Sequence, residues 1–257
     1  SPQYVSSRPL HNLEIVSRKR TLEIFRVEKC PVRGGIAIFK GLSGRERGTP
    51  DMTDIRTIIR RTTHDLAACG SPTPRLDAEV LLMHLLQIDR LRLFTHSEKV
   101  LTEDQIADYL RWVERRCQGE PVSYIVGVKE FWSLTFAVHR DVLIPRPETE
   151  CLVEEVLARP VPEGDSPRII DIGTGSGAIG IVLALEIPAA RVAATDLSNG
   201  ALEVARRNAI RHGVADRMEF FAGDLFAAAP GSFDIIVSNP PYIPEGAYPL
   251  LPEGIRA

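Results

Sequence analysis

Between residues 168 and 238 the chain alternates short apolar runs with helical stretches, and that order leaves few folds open. RIIDI (168–172) reads as a buried strand and 177–186 as a helix stopped by Pro188. RVAAT (191–195) is a second strand, and 199–212 a helix ended by Gly213. MEFFA (218–222) and FDIIVS (233–238) supply a third and a fourth strand. Strands alternating with helices predict an α/β fold with a doubly wound, Rossmann-like parallel sheet. Such sheets bind ligands beyond the carboxyl ends of their strands, so the loops at those ends matter most.

One such loop is DIGTGSGAIG, Asp171 to Gly180, which leaves the first strand and opens a helix. Gly173, Gly175 and Gly177 permit positive φ and a close backbone approach to a ligand. The helix N-terminus adds free N–H groups and a positive dipole end. Gly175, Gly177 and Gly180 alone satisfy the dinucleotide spacing G-x-G-x-x-G, a weak match. The denser spelling resembles the first motif of class I methyltransferases that use S-adenosylmethionine (SAM), whose loop wraps an amino-acid moiety. The candidate cofactor residues are Asp171, Gly173, Thr174, Gly175, Ser176 and Gly177. Asp196, followed by Leu197, ends the second strand, where a carboxylate accepts ribose hydroxyls of SAM or NAD alike. Its plainer role is to cap the next helix, which Ser198 and Asn199 also suit. Asp224, with Leu225 in GDLF, is a candidate contact for the adenine amino group.

The fourth strand runs into Asn239-Pro240-Pro241-Tyr242. Two prolines lock φ and stiffen the turn. A rigid turn there aims a backbone carbonyl and the Asn239 side-chain oxygen at one point, and two converging acceptors suit a planar NH₂ group. Such a nitrogen is a poor nucleophile because its lone pair is delocalised. Accepting both N–H bonds orients it and favours its pyramidal form. Asn239, Pro240 and Tyr242 are the candidate catalytic residues, and Asn239 also borders the cofactor. Tyr242 is suited to pack on the substrate plane. NPPY alone fits two targets, adenine N6 in nucleic acid and the side-chain amide of glutamine in protein.

Upstream, residues 52–119 read as a small helical domain, with helices near 54–68 and 76–87. A third follows Thr102, which makes a capping box with Gln105. Ile106, Leu110, Val113 and Cys117 form its apolar face, and Gly119 is its C′ residue. Residues 120–146, with VSYIVG and alternating Leu134, Phe136 and Val138, predict a β-hairpin linker. A methyltransferase domain then spans 147–257. Residues 1–51 read as a poorly ordered extension or as sequence upstream of a start at Met52. Residues 1–50 hold 10 Lys/Arg against 4 Asp/Glu, whereas residues 51–257 hold 21 against 30. The net charge of −3 excludes a whole-chain basic field for nucleic acid. Cys30, Cys69, Cys117 and Cys151 are widely spaced with no C-x-x-C pair, which argues against a disulfide scaffold and against a metal site. Free thiols suit a reducing compartment, and no apolar run spans a bilayer.

Taken in order, the helical domain, the hairpin, IPRPETE (144–150), DIGTGSGAIG, ATDLS and NPPYIP closely resemble the protein-(glutamine-N5) methyltransferases of peptide chain release factors, the PrmC/HemK family. The resemblance covers about 53–257 and implies a class I SAM-dependent methyltransferase. It implies N5-methylation of the glutamine of a Gly-Gly-Gln motif in release factors 1 and 2, with no direct nucleic acid and no membrane. It places SAM at Gly173–Gly177 and Asp196, with Leu225 near the adenine. It gives the substrate amide to Asn239 and Pro240, with Pro241 and Tyr242 beside it. Pro145, Arg146, Pro147 and Glu148 then lie over the pocket, and the helical domain helps to dock the release factor. The expected location is the bacterial cytoplasm, or an organelle for a relative.

Three rivals follow from the same residues. An N6-adenine nucleic-acid methyltransferase wants a basic face. NPPY gives an NAD-dependent dehydrogenase no hydride chemistry. A non-catalytic module would bind both ligands without transfer. The class I fold normally has seven strands, and four are legible here. The chain therefore reads as truncated after the fourth strand, leaving an unpaired edge and an unstable or inactive protein.

Overall fold

Residues 14–17, 53–159, 166–224 and 228–240 are described by the computed structural model, the first four through their backbone. The chain divides into two units, residues 30–126 and residues 1–29 with 127–257.

In the helical unit, α1 (Ile55–Ala68) starts where Asp54 accepts the Thr57 N–H at 2.7 Å. Helix α2 (Pro74–Leu86) opens on proline, which costs nothing at a first helical position. A short α3 (Arg90–Thr95) precedes α4 (Glu103–Cys117). The Thr102–Gln105 capping box is present, with bonds of 3.0 and 3.2 Å. Gly119 takes φ +92° as the helix ends, and Glu120 N–H reaches Arg115 O at 3.1 Å. The buried face of α4 centres on Tyr109 and Val113, so it is rotated from the face drawn through Ile106 and Leu110. Tyr109 reaches that depth because its hydroxyl donates to Ala78 O and also meets Thr62 Oγ1, each at 2.9 Å. Burial pushes its phenol pKa up.

Two expectations for this unit are corrected. VSYIVG is not hairpin: Val122–Val126 is helix α5. Pro121 O accepts from the N–H groups of Tyr124 and Ile125, and Ile125 enters the helical core, so tertiary burial overrides β-branched propensity. The cysteines are not all free. Cys69 and Cys117, 48 residues apart, close the ends of α1 and α4 as a disulfide with Cα atoms 5.3 Å apart. Cys151 is free and exposed.

The second unit begins with a hairpin, β2 (Val128–Phe131) and β3 (Leu134–Ala137). Its two-residue turn puts Trp132 and Ser133 at φ +54° and +56°. The Trp132 N–H groups donate to Glu150 and Glu186, both at 2.8 Å. Helix α6 (Glu150–Leu157) leads to β4 (Arg168–Ile172), α7 (Ala178–Glu186), β5 (Arg191–Asp196), α8 (Asn199–Arg211), β6 (Met218–Ala222) and β7 (Ile235–Ser238). The parallel strands lie in the order β7-β4-β5-β6. Phe131, Phe136, the apolar faces of α6 and α7, and Ile169, Val192 and Val237 share one core. Ile170, Ile172 and Ala193 turn to the opposite face, beside Ala229.

The outer edge of β7 is not bare. Strand β1 (Glu14–Ser17) pairs with it antiparallel, Glu14 opposite Ser238. Unpaired ladder groups accept any strand of matching length, and here a segment from the N-terminal extension supplies it. The rest of that extension, with Met52 and Cys30, lies outside the described residues.

Asn208 on α8 ties the hairpin to the glycine loop. It is fully buried. Its side-chain oxygen accepts Ala137 N–H at 2.8 Å, and its nitrogen donates to Ala137 O at 3.0 Å and Ser176 O at 2.8 Å. Asn208→Ala strands three backbone groups, the buried Ser176 carbonyl and the two half-buried groups of Ala137, and should cost about 2–4 kcal/mol. Urea unfolding of the variant beside the wild type measures it.

Candidate functional site

Parallel pairing places Ile172 opposite Ser238, so the glycine loop and the Asn-Pro corner leave adjacent strand ends. The Ser238 hydroxyl donates to Ile172 O at 2.9 Å and fastens the two exits together. Gly173, Gly175 and Gly177 take φ of +68°, +55° and +80°, as the spacing predicts. A Cβ at Gly173 or Gly175 would meet nothing within 4 Å, so the loop's outer side is open. At Gly177 a Cβ would stand 2.9 Å from Ile181 Cδ1 and 3.1 Å from Ala205 Cβ. That glycine serves helix packing.

The loop is stitched to β5. Thr174 N–H donates to Thr195 O at 2.9 Å, and Gly175 N–H donates to Asp196 Oδ2 at 2.9 Å. Asp196 Oδ1 accepts Ser198 N–H at 2.9 Å. Ser198, not Asp196, caps α8. Asp196 thus holds the loop in shape from the strand end where the sequence reading puts a ribose ligand. Thr174 and Ser176 are buried, Leu197 is 75% exposed, and Asp224 is exposed.

Asp171 is buried beneath the loop, its Oδ2 accepting from Thr174 Oγ1 at 2.6 Å and Gly180 N–H at 3.0 Å. Its Oδ1 and Thr195 Oγ1 are buried without a partner among the described residues. Burial raises the carboxyl to about 6, reinforced by the nearby Asp196 charge and opposed by its two hydrogen bonds. Asp171 is therefore a brace for the loop and the start of α7.

Asn239 and Pro240 follow β7 directly, Asn239 half-buried and Pro240 exposed. The Asn239 side-chain nitrogen donates to Thr149 Oγ1 at 3.0 Å. Arg146 and Glu148 are exposed and Pro145 is buried. Leu225, Pro241 and Tyr242 lie outside the described residues. Sequence reasoning passed over Asn208 and Thr149, which lie 32 and 90 residues from the groups they hold. The one signal for Thr149 was its place inside IPRPETE.

Two family models match the chain, "PrmC N-terminal domain" at residues 57–127 and "Methyltransferase small domain" at 149–249. A release factor glutamine methyltransferase from Aliivibrio fischeri is 43% identical over 78% of this chain and 70% of its own length. The chain belongs to the release factor glutamine methyltransferase family. Its second unit has the class I SAM-dependent methyltransferase fold. The family members from Chlorobaculum tepidum and Koribacter versatilis are 47% and 48% identical, over 71% and 70% of this chain. The chain spans 65% and 64% of their lengths, under two thirds. Among the described residues no helix is long and apolar enough to cross a membrane.

The Asp171 shift makes a signed prediction. The folded state keeps its proton up to about 6, whereas the unfolded carboxyl loses it near 3.8. Between those values the folded state holds more protons, so this group's contribution to stability falls as pH rises, by at most about 1.4 kcal/mol per pH unit. Above pH 6 the contribution is flat. Asp171→Asn should remove that slope, read as the difference between the two proteins' urea-unfolding free energies from pH 4 to 7.

Proposed function

We propose that the chain acts as a SAM-dependent methyltransferase on the side-chain nitrogen of the glutamine in the Gly-Gly-Gln motif of peptide chain release factors 1 and 2. The observation that carries this reading is the adjacency of two strand exits, an open glycine cradle on β4 and an Asn-Pro corner on β7. The names of the curated relatives favour glutamine over adenine as the target.

The residues present fit the cofactor. Gly173 and Gly175 leave room for a ligand against the backbone, and the orphaned Asp171 Oδ1 and Thr195 Oγ1 are buried polar atoms beside that loop. In this reading the Gly173–Gly177 loop, with Thr174 and Ser176, holds the amino-acid end. Asp196 accepts from the ribose, Leu197 and Leu225 border the adenine, and Asp224 accepts from its amino group. The cofactor supplies a methyl group on a sulfonium, whose departure leaves a neutral thioether.

The chain's own residues make the amide nitrogen reactive. Asn239 Oδ1 and Pro240 O each accept one of its N–H bonds, which turns the lone pair out of conjugation and toward the methyl carbon. Holding the nitrogen in one orientation beside the Gly173–Gly177 loop would remove part of the orientational cost of the transfer. The two oxygen dipoles also stabilise positive charge growing on nitrogen. The methylated nitrogen is then acidic and gives its proton to water, so no strong base is needed. Tyr242 packs on the amide plane, and Arg146, Pro147 and Glu148 border the substrate's approach. The reaction belongs in the cytoplasm with translation termination.

Incubation with SAM and a release factor, followed by mass spectrometry of the Gly-Gly-Gln peptide, should show one added methyl on the glutamine. Asn239→Ala should slow that transfer about 100- to 1,000-fold, the range for losing one oriented hydrogen-bonding group. Unmodified glutamine with methyl found on nucleic acid would refute the reading.

A further inference from the structure

We propose that Thr149 is a positioning residue for Asn239, holding its amide so that the oxygen edge faces the substrate. The inference rests on the glutamine reading above and assigns IPRPETE a defined task.

An asparagine amide has two ends of nearly equal shape and opposite hydrogen-bonding character. Rotated one way, Asn239 offers the substrate NH₂ an acceptor; rotated the other way, it offers a second NH₂ and repels it. The corner therefore works in one rotamer only, and something must choose it. The Asn239 nitrogen lies 3.0 Å from Thr149 Oγ1. That bond uses one N–H of the donor end, and Oδ1 takes no bond from any described residue.

Thr149 is itself fixed. It is 5% exposed and ends a single 3₁₀ turn, Pro147–Thr149, in which its N–H donates to Arg146 O at 3.0 Å. Pro147 presets the turn's φ. The following helix α6 buries Leu152, Val153 and Val156 in the core, so the turn cannot drift from β7 without breaking that packing. A hydroxyl both donates and accepts, so Thr149 anchors the amide at a fixed point, and in the observed rotamer it takes the donor end.

Steady-state kinetics on the full chain with SAM and a release factor test this. Thr149→Val keeps the shape and removes the hydroxyl. It should lower kcat about 10- to 100-fold, the scale for a misplaced reacting group. KM for both substrates and the melting temperature should stay near wild type. Thr149→Ser keeps the hydroxyl and should restore kcat to within a few-fold. Wild-type kcat in Thr149→Val, or Thr149→Ser as slow as Thr149→Val, overturns the assignment. The Asn239 side-chain N–H signals in nitrogen-resolved NMR keep the test independent of the glutamine reading. Slow hydrogen exchange that Val abolishes and Ser retains supports the clamp even if glutamine stays unmethylated, and fast exchange in the wild type overturns it.

Discussion

The parallel register of β4 and β7 is the constraint on which the site depends. It sets Ile172 opposite Ser238, and the Ser238 hydroxyl bonds Ile172 O where the strands part. From that point β4 runs into three positive-φ glycines and β7 into Asn239-Pro240. A slip of one residue would carry the alternating side chains to opposite faces and take Val237, which is fully buried, out of the core it shares with Ile169 and Val192. The hydrophobic core therefore enforces the geometry of the site.

The site is braced from beneath and behind more than from its own loops. Asp171 links β4 to Thr174 and to the start of α7 through one oxygen. Asp196 and Thr195 hold the loop to β5, and Asn208 holds it to the hairpin. Asp171 is costly, because burial opposes its charge. A local cost of that kind beneath a loop of positive-φ glycines is the sort of place where sequence rules give way to function.

How much was legible follows from the range of each interaction. The parallel strands, α7 and α8, and the Thr102 capping box are local signals of apolar period, glycine punctuation and side-chain caps within four residues, and each was read within a few positions. The glycine loop was legible because its spelling demands positive φ whatever surrounds it. The misses are contacts between distant segments. VSYIVG has strand-like composition and folds as a helix because Ile125 finds the helical core. Cys69 and Cys117 meet only after α1 and α4 pack. The edge of β7 is covered by residues 14–17, more than 200 positions upstream. Thr149 and Asn208 carry no signature as single residues, since threonine and asparagine gain meaning only from the partners they reach.

The central claim is that one corner receives the substrate amide by both of its hydrogens. The direct measurement is a crystal structure of the chain with the demethylated cofactor and a Gly-Gly-Gln peptide. The account predicts the glutamine nitrogen about 2.7–3.2 Å from both Asn239 Oδ1 and Pro240 O, with its free side toward the cofactor sulfur. A glutamine whose carbonyl oxygen meets Asn239, or whose nitrogen points away from the sulfur, would contradict it.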